Sequence, residues 1–268
     1  MIETIYLARH GFRMSWENPV WPNYTGTPRD PPLAAHGVDQ AKELAAWLAE
    51  QPDKPEAIFS SPLYRCLQTA TPASEALNLP INVEHGISEW YLPVRRGLHP
   101  RSLPAGRLTQ WFPLIDMSHQ SLFYPTQKGE TEDQVHERAE EVLRLLLGKL
   151  DREGGPKSVV LFSHAATGIA MGRALVGDRE REVRSATCSV SKFRRVVGEE
   201  TARDGLGEWE RLLNGETSFL SRGEERHWDF SYVEAYEEDG VLEDGTELPT
   251  LSDNYKTVDP ATSAGGKL

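Results

Sequence analysis

Cysteine is scarce: Cys66 and Cys188 are the only two in 268 residues. Two thiols make no disulfide framework, so a stapled secreted fold is excluded and a reducing compartment is expected. Long apolar runs are missing too, and no stretch has the length that crosses a bilayer. The N-terminus, MIETIYLARHG, lacks the basic region and apolar run of a secretory leader. These absences predict an intracellular protein, of cytoplasm or nucleus, with no membrane association. Positive charge is also short, with 29 Lys+Arg against 41 Asp+Glu and a net charge of -12. Such a chain is repelled by phosphate backbones and anionic lipid, so direct nucleic-acid binding is not expected. No internal repeat is present.

The charge that is present is unevenly placed. Residues 1–198 hold 23 acids and 23 bases, whereas residues 199–268 hold 18 acids and 6 bases. A neutral body is therefore followed by an acidic last quarter. Beyond about Tyr236 the chain is acidic, rich in glycine and poor in apolar residues. The expected organisation is a domain over 1–235 and a loosely held tail over 236–268.

Within the body, short apolar runs alternate with helical patterns. Ile2–Ala8, Ala57–Ser60, Ile81–Val83 and Ser158–Phe162 read as strands. Val38, Ala41, Leu44, Ala45 and Leu48 mark one helical face. Val135, Ala139, Val142, Leu143, Leu146 and Leu150 mark another, which starts at a capping-box spacing of Thr131 and Gln134. Ser61-Pro62 reads as an N-cap followed by proline in the first helical position. A further helix is predicted over Ala165–Leu175. The runs Ser189–Val196 and Glu208–Leu213 read as a pair of late strands. Residues 90–128 read as loop. The sum is an α/β three-layer sandwich, with a mainly parallel central sheet flanked by helices.

Two histidines end strands, His10 the first and His164 the strongest. Ligands of open α/β sheets bind at such carboxyl ends, beside helix N-termini that favour anions. Arg9 and Arg13 flank His10, and Arg65 falls just after the second strand at the same edge. Guanidinium forks match phosphate oxygens, and phosphoryl transfer is largely positioning and charge stabilisation. A neutral imidazole can attack phosphorus and divide hydrolysis into two steps. Glu89 is the best candidate acid for the leaving group, with Trp90 expected to desolvate it and raise its pKa. Asp30 remains a second candidate. The other histidines show no metal-ligand spacing. Cys188 and Arg194 have the C-x5-R spacing of cysteine phosphatases, but the intervening residues alternate like a strand and contain no glycine.

Leu7-Ala8-Arg9-His10-Gly11 resembles the RHG signature of the histidine phosphatase, or phosphoglycerate mutase-like, superfamily. Leu33-Ala34-Ala35-His36-Gly37 with Gln40-Ala41, Ser60 to Thr69, Glu89, and Ser163-His164 follow in that family's order. The resemblance implies that His10 is the phosphorylated nucleophile. It implies that Arg9, Arg65 and His164, joined by Arg13, bind the phosphoryl oxygens, and that Glu89 protonates the leaving group. It implies no metal and no cofactor. Arg13 is similar to the second arginine of the Sts-type and acid phosphatases.

Gly86 to Tyr91, Lys128 to Glu132 and Gly215 to Glu225 resemble the fungal histidine phosphatase domains of the transcription factor IIIC tau subunit. There a further C-terminal domain pairs with a partner subunit, and a chain of this length is expected to be a free-standing relative. Trp16 and Tyr91, with Trp21 and Trp90, are placed to line a mouth that suits an aromatic, phosphotyrosine-like ester. The rival functions are a non-catalytic scaffold subunit that keeps the fold, and a mutase.

Overall fold

Along the first strand, β1 (Thr4–Arg9), Tyr6 and Ala8 face one apolar cluster while Ile5 and Leu7 face another. A strand buried on both faces needs a layer on each side, and the sequence supplies helices for both. The computed structural model describes residues 1–94, 96–196 and 205–232. The acidic tail expected over 236–268 lies outside the described residues.

Six strands form one sheet: β1, β2 (Ala57–Ser60), β3 (Ile81–Val83), β4 (Ser158–Ser163), β5 (Val190–Arg195) and β6 (Trp209–Glu216), in the order β3-β2-β4-β1-β5-β6. The first four are mutually parallel. β5 runs antiparallel to β1 and pairs antiparallel with β6, as the two late alternating runs suggest. Helices α1 (Ala35–Glu50) and α2 (Tyr64–Leu77) cover one face through Leu44, Leu48, Leu67 and Ala70. A one-turn helix, α3 (Ala105–Leu108), interrupts the long loop. Helices α4 (Glu132–Arg152) and α5 (Ala165–Val176) cover the other face through Val142, Leu146, Ala170 and Met171. The three-layer α/β sandwich is the observed architecture.

Two helix starts show how local signals fare. The capping box of α4 forms, with Thr131 and Gln134 exchanging hydrogen bonds of 2.9 and 3.3 Å. The start of α2 differs from expectation: the helix begins at Tyr64, and Leu63 holds the N-cap position without a side-chain bond. Asp30 does the capping from a distant loop, its Oδ2 accepting the Tyr64 N–H at 2.6 Å. A carboxylate there also meets the positive end of the helix dipole. Ser61 Oγ keeps only a long bond of 3.4 Å from the Leu63 N–H.

The turn after β1 is clamped by backbone contacts that only small residues allow. A Cβ on Gly37 would lie 2.2 Å from the Phe12 carbonyl oxygen, and one on Gly11 would lie 2.7 Å from the Gly37 carbonyl oxygen. The first turn of α1 therefore sits directly on the segment that follows β1. Gly37→Ala is expected to cost about 3 kcal/mol, because backbone rather than a flexible side chain must move. Urea unfolding checks this, and wild-type stability in that variant would contradict the close approach.

Candidate active site

β1 and β4 are adjacent and parallel, with Arg9 opposite Ser163. The residues that follow them leave the sheet side by side. The His10 N–H donates to the Ser163 carbonyl at 3.0 Å, and the two imidazoles lie 5.4 Å apart. His10 is 2% exposed and His164 1%. The His10 Nδ1 lies 2.8 Å from the Gly11 carbonyl. That oxygen can only accept, so Nδ1 carries the proton and Nε2 keeps a bare lone pair. The turn itself is held by side chains: the Gly11 N–H donates to Thr69 Oγ1, and the Phe12 N–H donates to Gln40 Oε1, each at 3.0 Å. Gln68 Oε1 accepts the Leu33 N–H at 2.8 Å.

Three arginines converge here. Arg65 is 1% exposed and lies against Asp30 (3.0 Å), Glu89 (2.9 Å) and the Arg29 carbonyl (3.2 Å). Its Nη2 also reaches His164 Nδ1 at 3.2 Å, while Ser61 Oγ meets His164 Nε2 at 2.8 Å. Arg9 donates through Nη1 to the carbonyls of Ser185 (3.0 Å) and Arg226 (2.6 Å). Arg13 lies over the indole of Trp16 at 4.3 Å. The Nε–H groups of Arg9, Arg13 and Arg65 are all buried without an acceptor among the described residues. Orphaned buried donors on three guanidiniums mark a place built for an anion.

The electrostatics agree. Burial, then the charges of Arg65 and Arg9, push His10 well below its usual pKa, so it is neutral. Burial also lowers His164, to about 4. Burial lowers Arg13 to about 9 and Arg9 to about 10. Burial would raise Glu89, but His164, Arg65 and His10 outweigh it and hold the carboxyl well below its usual range. The expected raising of Glu89 by Trp90 is therefore reversed. Trp90 aims its indole N–H at the Glu130 carbonyl (2.7 Å), and its backbone N–H donates to Glu89 Oε1 (3.1 Å). Burial raises the Asp30 carboxyl despite Arg65. Both its oxygens are engaged, by Arg65 and by the Tyr64 N–H, and its side chain is only 1% exposed against 22% for Glu89, which makes Glu89 the more accessible acid.

His10, Glu89 and His164 also bring one ligand atom each within 4.8 Å of one another, close enough for a metal ion. Three guanidiniums beside them oppose a cation, and His164 already spends both nitrogens on neighbours. Of the mouth residues, Trp16 adjoins His10 at 6.2 Å between ring centres, and Tyr91 stacks on His99 at 4.9 Å.

The loop that carries Glu89 is fixed by groups the motifs did not single out. Arg138, 3% exposed, pairs with Glu130 through Nε (2.8 Å) and donates through Nη1 to the carbonyls of Gly86 (2.7 Å) and Ser88 (3.1 Å). Ser163 Oγ and Thr167 Oγ1 donate to the carbonyls of Ile87 and Ser88, each at 2.7 Å. The segments 86–91 and 128–132 thus interlock, and this also places the Glu130 N–H on the Tyr91 carbonyl at 2.8 Å. The helical spacing of Arg138 offered no clue, since an arginine there reads as a surface charge.

With this geometry in place, the comparisons fall into line. The sequence model of the Histidine phosphatase superfamily (branch 1) matches residues 5–203. The chain belongs to that superfamily. It is 37% identical to the transcription factor tau 55 kDa subunit of Saccharomyces cerevisiae, over 87% of this chain and 60% of the yeast protein. It is 26% identical to the ecdysteroid-phosphate phosphatase of Drosophila melanogaster, over 72% of this chain and 28% of that one. The chain thus spans less than two thirds of the length of these relatives. Among solved structures, the ecdysone phosphate phosphatase of Bombyx mori, in complex with tungstate, superposes with a TM-score of 0.62 at 18% identity, over 86% of this chain and 99% of that one. The superfamily's phosphoglycerate mutase-like fold is the one described above.

The C-x5-R coincidence dissolves in the structure. Arg194 lies on β5 and pairs with Glu210 at 2.6 Å, and burial raises the Cys188 thiol. Removing Arg138 would strand the Glu130 carboxylate and two carbonyls. Arg138→Met is expected to cost about 3–5 kcal/mol, and adding Glu130→Met is expected to restore part of it. Denaturant titration of both variants checks this, and a single variant no less stable than the double would refute the pairing.

Proposed function

We propose that the domain, over residues 1–235, is a metal-independent phosphomonoesterase that works through a phosphohistidine on His10. The observation that carries this reading is the set of orphaned Nε–H donors on Arg9, Arg13 and Arg65, the three guanidiniums whose charges act on the neutral, buried His10. A phosphoryl group bound there takes charge-assisted hydrogen bonds from the guanidiniums. His10 Nε2 then forms the N–P bond as the ester P–O bond breaks, and the leaving oxygen takes a proton from Glu89. Water attacks the phosphohistidine in a second step, giving up its proton to Glu89 and returning inorganic phosphate and free His10. His164 is held beside His10 by Ser61 and Arg65, and one of these bonds has to open before it meets a phosphoryl oxygen.

Glu89 is ionised in the free site, so its proton has to arrive with the substrate. A phosphomonoester has its second pKa at about 6 and brings one. Its negative charge also neutralises Arg65 and lifts the Glu89 carboxyl that Arg65 had lowered.

The yeast relative is a transcription factor subunit, which favours a second reading, a non-catalytic subunit of a transcription complex. A scaffold has no use for three desolvated guanidiniums gathered near one imidazole, since burying such charge is costly. The same relative supports an intracellular, nuclear setting. No helix among the described residues is long and apolar enough to cross a membrane.

Hydrolysis of para-nitrophenyl phosphate, with inhibition by vanadate, separates enzyme from scaffold. His10→Ala is expected to abolish turnover with circular dichroism unchanged, and hydrolysis at the wild-type rate would refute the mechanism. The proton argument predicts that kcat/KM falls about tenfold per pH unit above about 6, because one proton must be shared by Glu89 and the incoming phosphate. His10 stays neutral and nucleophilic on the acid side. A rate profile that rises through pH 7 would contradict the assigned role of Glu89.

A further inference from the structure

After β6 the chain returns across the mouth of the site as Gly223-Glu224-Glu225-Arg226. Its charges are sorted. Both Glu224 oxygens accept from Arg184 at 2.8 Å. Glu225 Oε2 accepts from Gln40 at 2.7 Å and faces His36 at 3.7 Å. The two acids are thus spent on this protein's own groups. Arg226 is exposed, and its guanidinium lies over two rings, 5.4 Å from Phe12 and 5.3 Å from Trp16. It forms no ion pair among the described residues.

The position of Arg226 is set by its backbone. Its φ is 54°, in the left-handed region that a residue with a Cβ enters at a cost of about 1–2 kcal/mol. Its carbonyl is held there by Arg9 at 2.6 Å. The same indole that carries Arg226 lies 6.2 Å from the His10 ring. A cation is therefore fixed one indole away from the nucleophile, outside the pocket that Arg9 and Arg65 line. Glu17 lies against His36 at 3.3 Å, and Arg13 shares the Trp16 ring with Arg226.

We propose that Arg226 binds a second anionic group, a carboxylate, on the phosphomonoester, so that the preferred substrate is an acidic phosphoester. This rests on the phosphatase reading above and narrows its substrate class. A guanidinium stacked on aromatic rings is pre-oriented for a bidentate carboxylate contact. Exposure to water keeps the gain to a few-fold.

The test compares 4-carboxyphenyl phosphate with its methyl ester, which differ by one negative charge. The wild-type protein is expected to favour the acid in kcat/KM, mainly through KM. Arg226→Met is expected to reduce that preference about fivefold, and Arg226→Lys to retain most of it. An unchanged preference in Arg226→Met would overturn the proposal. So would an equal loss on both esters, which would make Arg226 a support for Arg9 only. In both cases wild-type hydrolysis of the methyl ester leaves the phosphatase reading standing. Failure of the wild type on both esters overturns the two together.

Discussion

Arg65 carries a full charge at a point that water barely reaches, and the rest of the site is arranged around that fact. A buried guanidinium is tolerated only with anions and acceptors on its fork. Asp30 and the Arg29 carbonyl come from the loop before α1, Glu89 from the loop after β3, and His164 from the end of β4. One side chain thus ties three separate segments to the start of α2. Asp30 serves twice, as counter-ion and as the distant cap of α2, so helix start and charge balance depend on one carboxylate. The arrangement leaves the group over-supplied with positive charge once Arg9 and Arg13 are added. A singly protonated phosphomonoester, a monoanion, is the chemical complement of that excess.

The motif residues that do no chemistry are explained by backbone satisfaction. The turn after β1 leaves the helical and strand ladders, so its N–H groups need partners of their own. Thr69 and Gln40 supply them for Gly11 and Phe12, and Gln68 does so for Leu33. Gly37 lets α1 approach closely enough for Gln40 to reach. Each of these residues holds His10 still without touching a substrate.

Fold and candidate cluster were legible for a common reason: both are written in local pattern. Doubly buried strands read as apolar runs, α4 carried its own capping box, and the two histidines sat at strand ends where open sheets bind ligands. What stayed hidden depends on pairing across the chain. Ser61 read as a cap because serine before proline usually is one, yet Asp30 took the N–H and Ser61 went to His164. Trp90 read as a desolvating wall, yet the cations around Glu89 dominate its charge state. Arg138 and Arg226 drew no reading from the sequence, because nothing local shows that one meets Glu130 in the interior or that the other crosses the mouth on a left-handed residue.

The two carbonyls that satisfy Arg9 come from residues 176 and 217 positions further along the chain. A pocket finished by contacts of that sequence separation cannot mature domain-half by domain-half as the polypeptide leaves the ribosome. The sheet's parallel strands and both histidines are synthesised by residue 164, but Arg9 has its full set of acceptors only when Arg226 has emerged and looped back. The nascent chain therefore carries a nearly complete but unanchored cluster of cations through the synthesis of residues 165–226, and the segment that holds Arg226 acts as the keystone that converts it into a defined pocket.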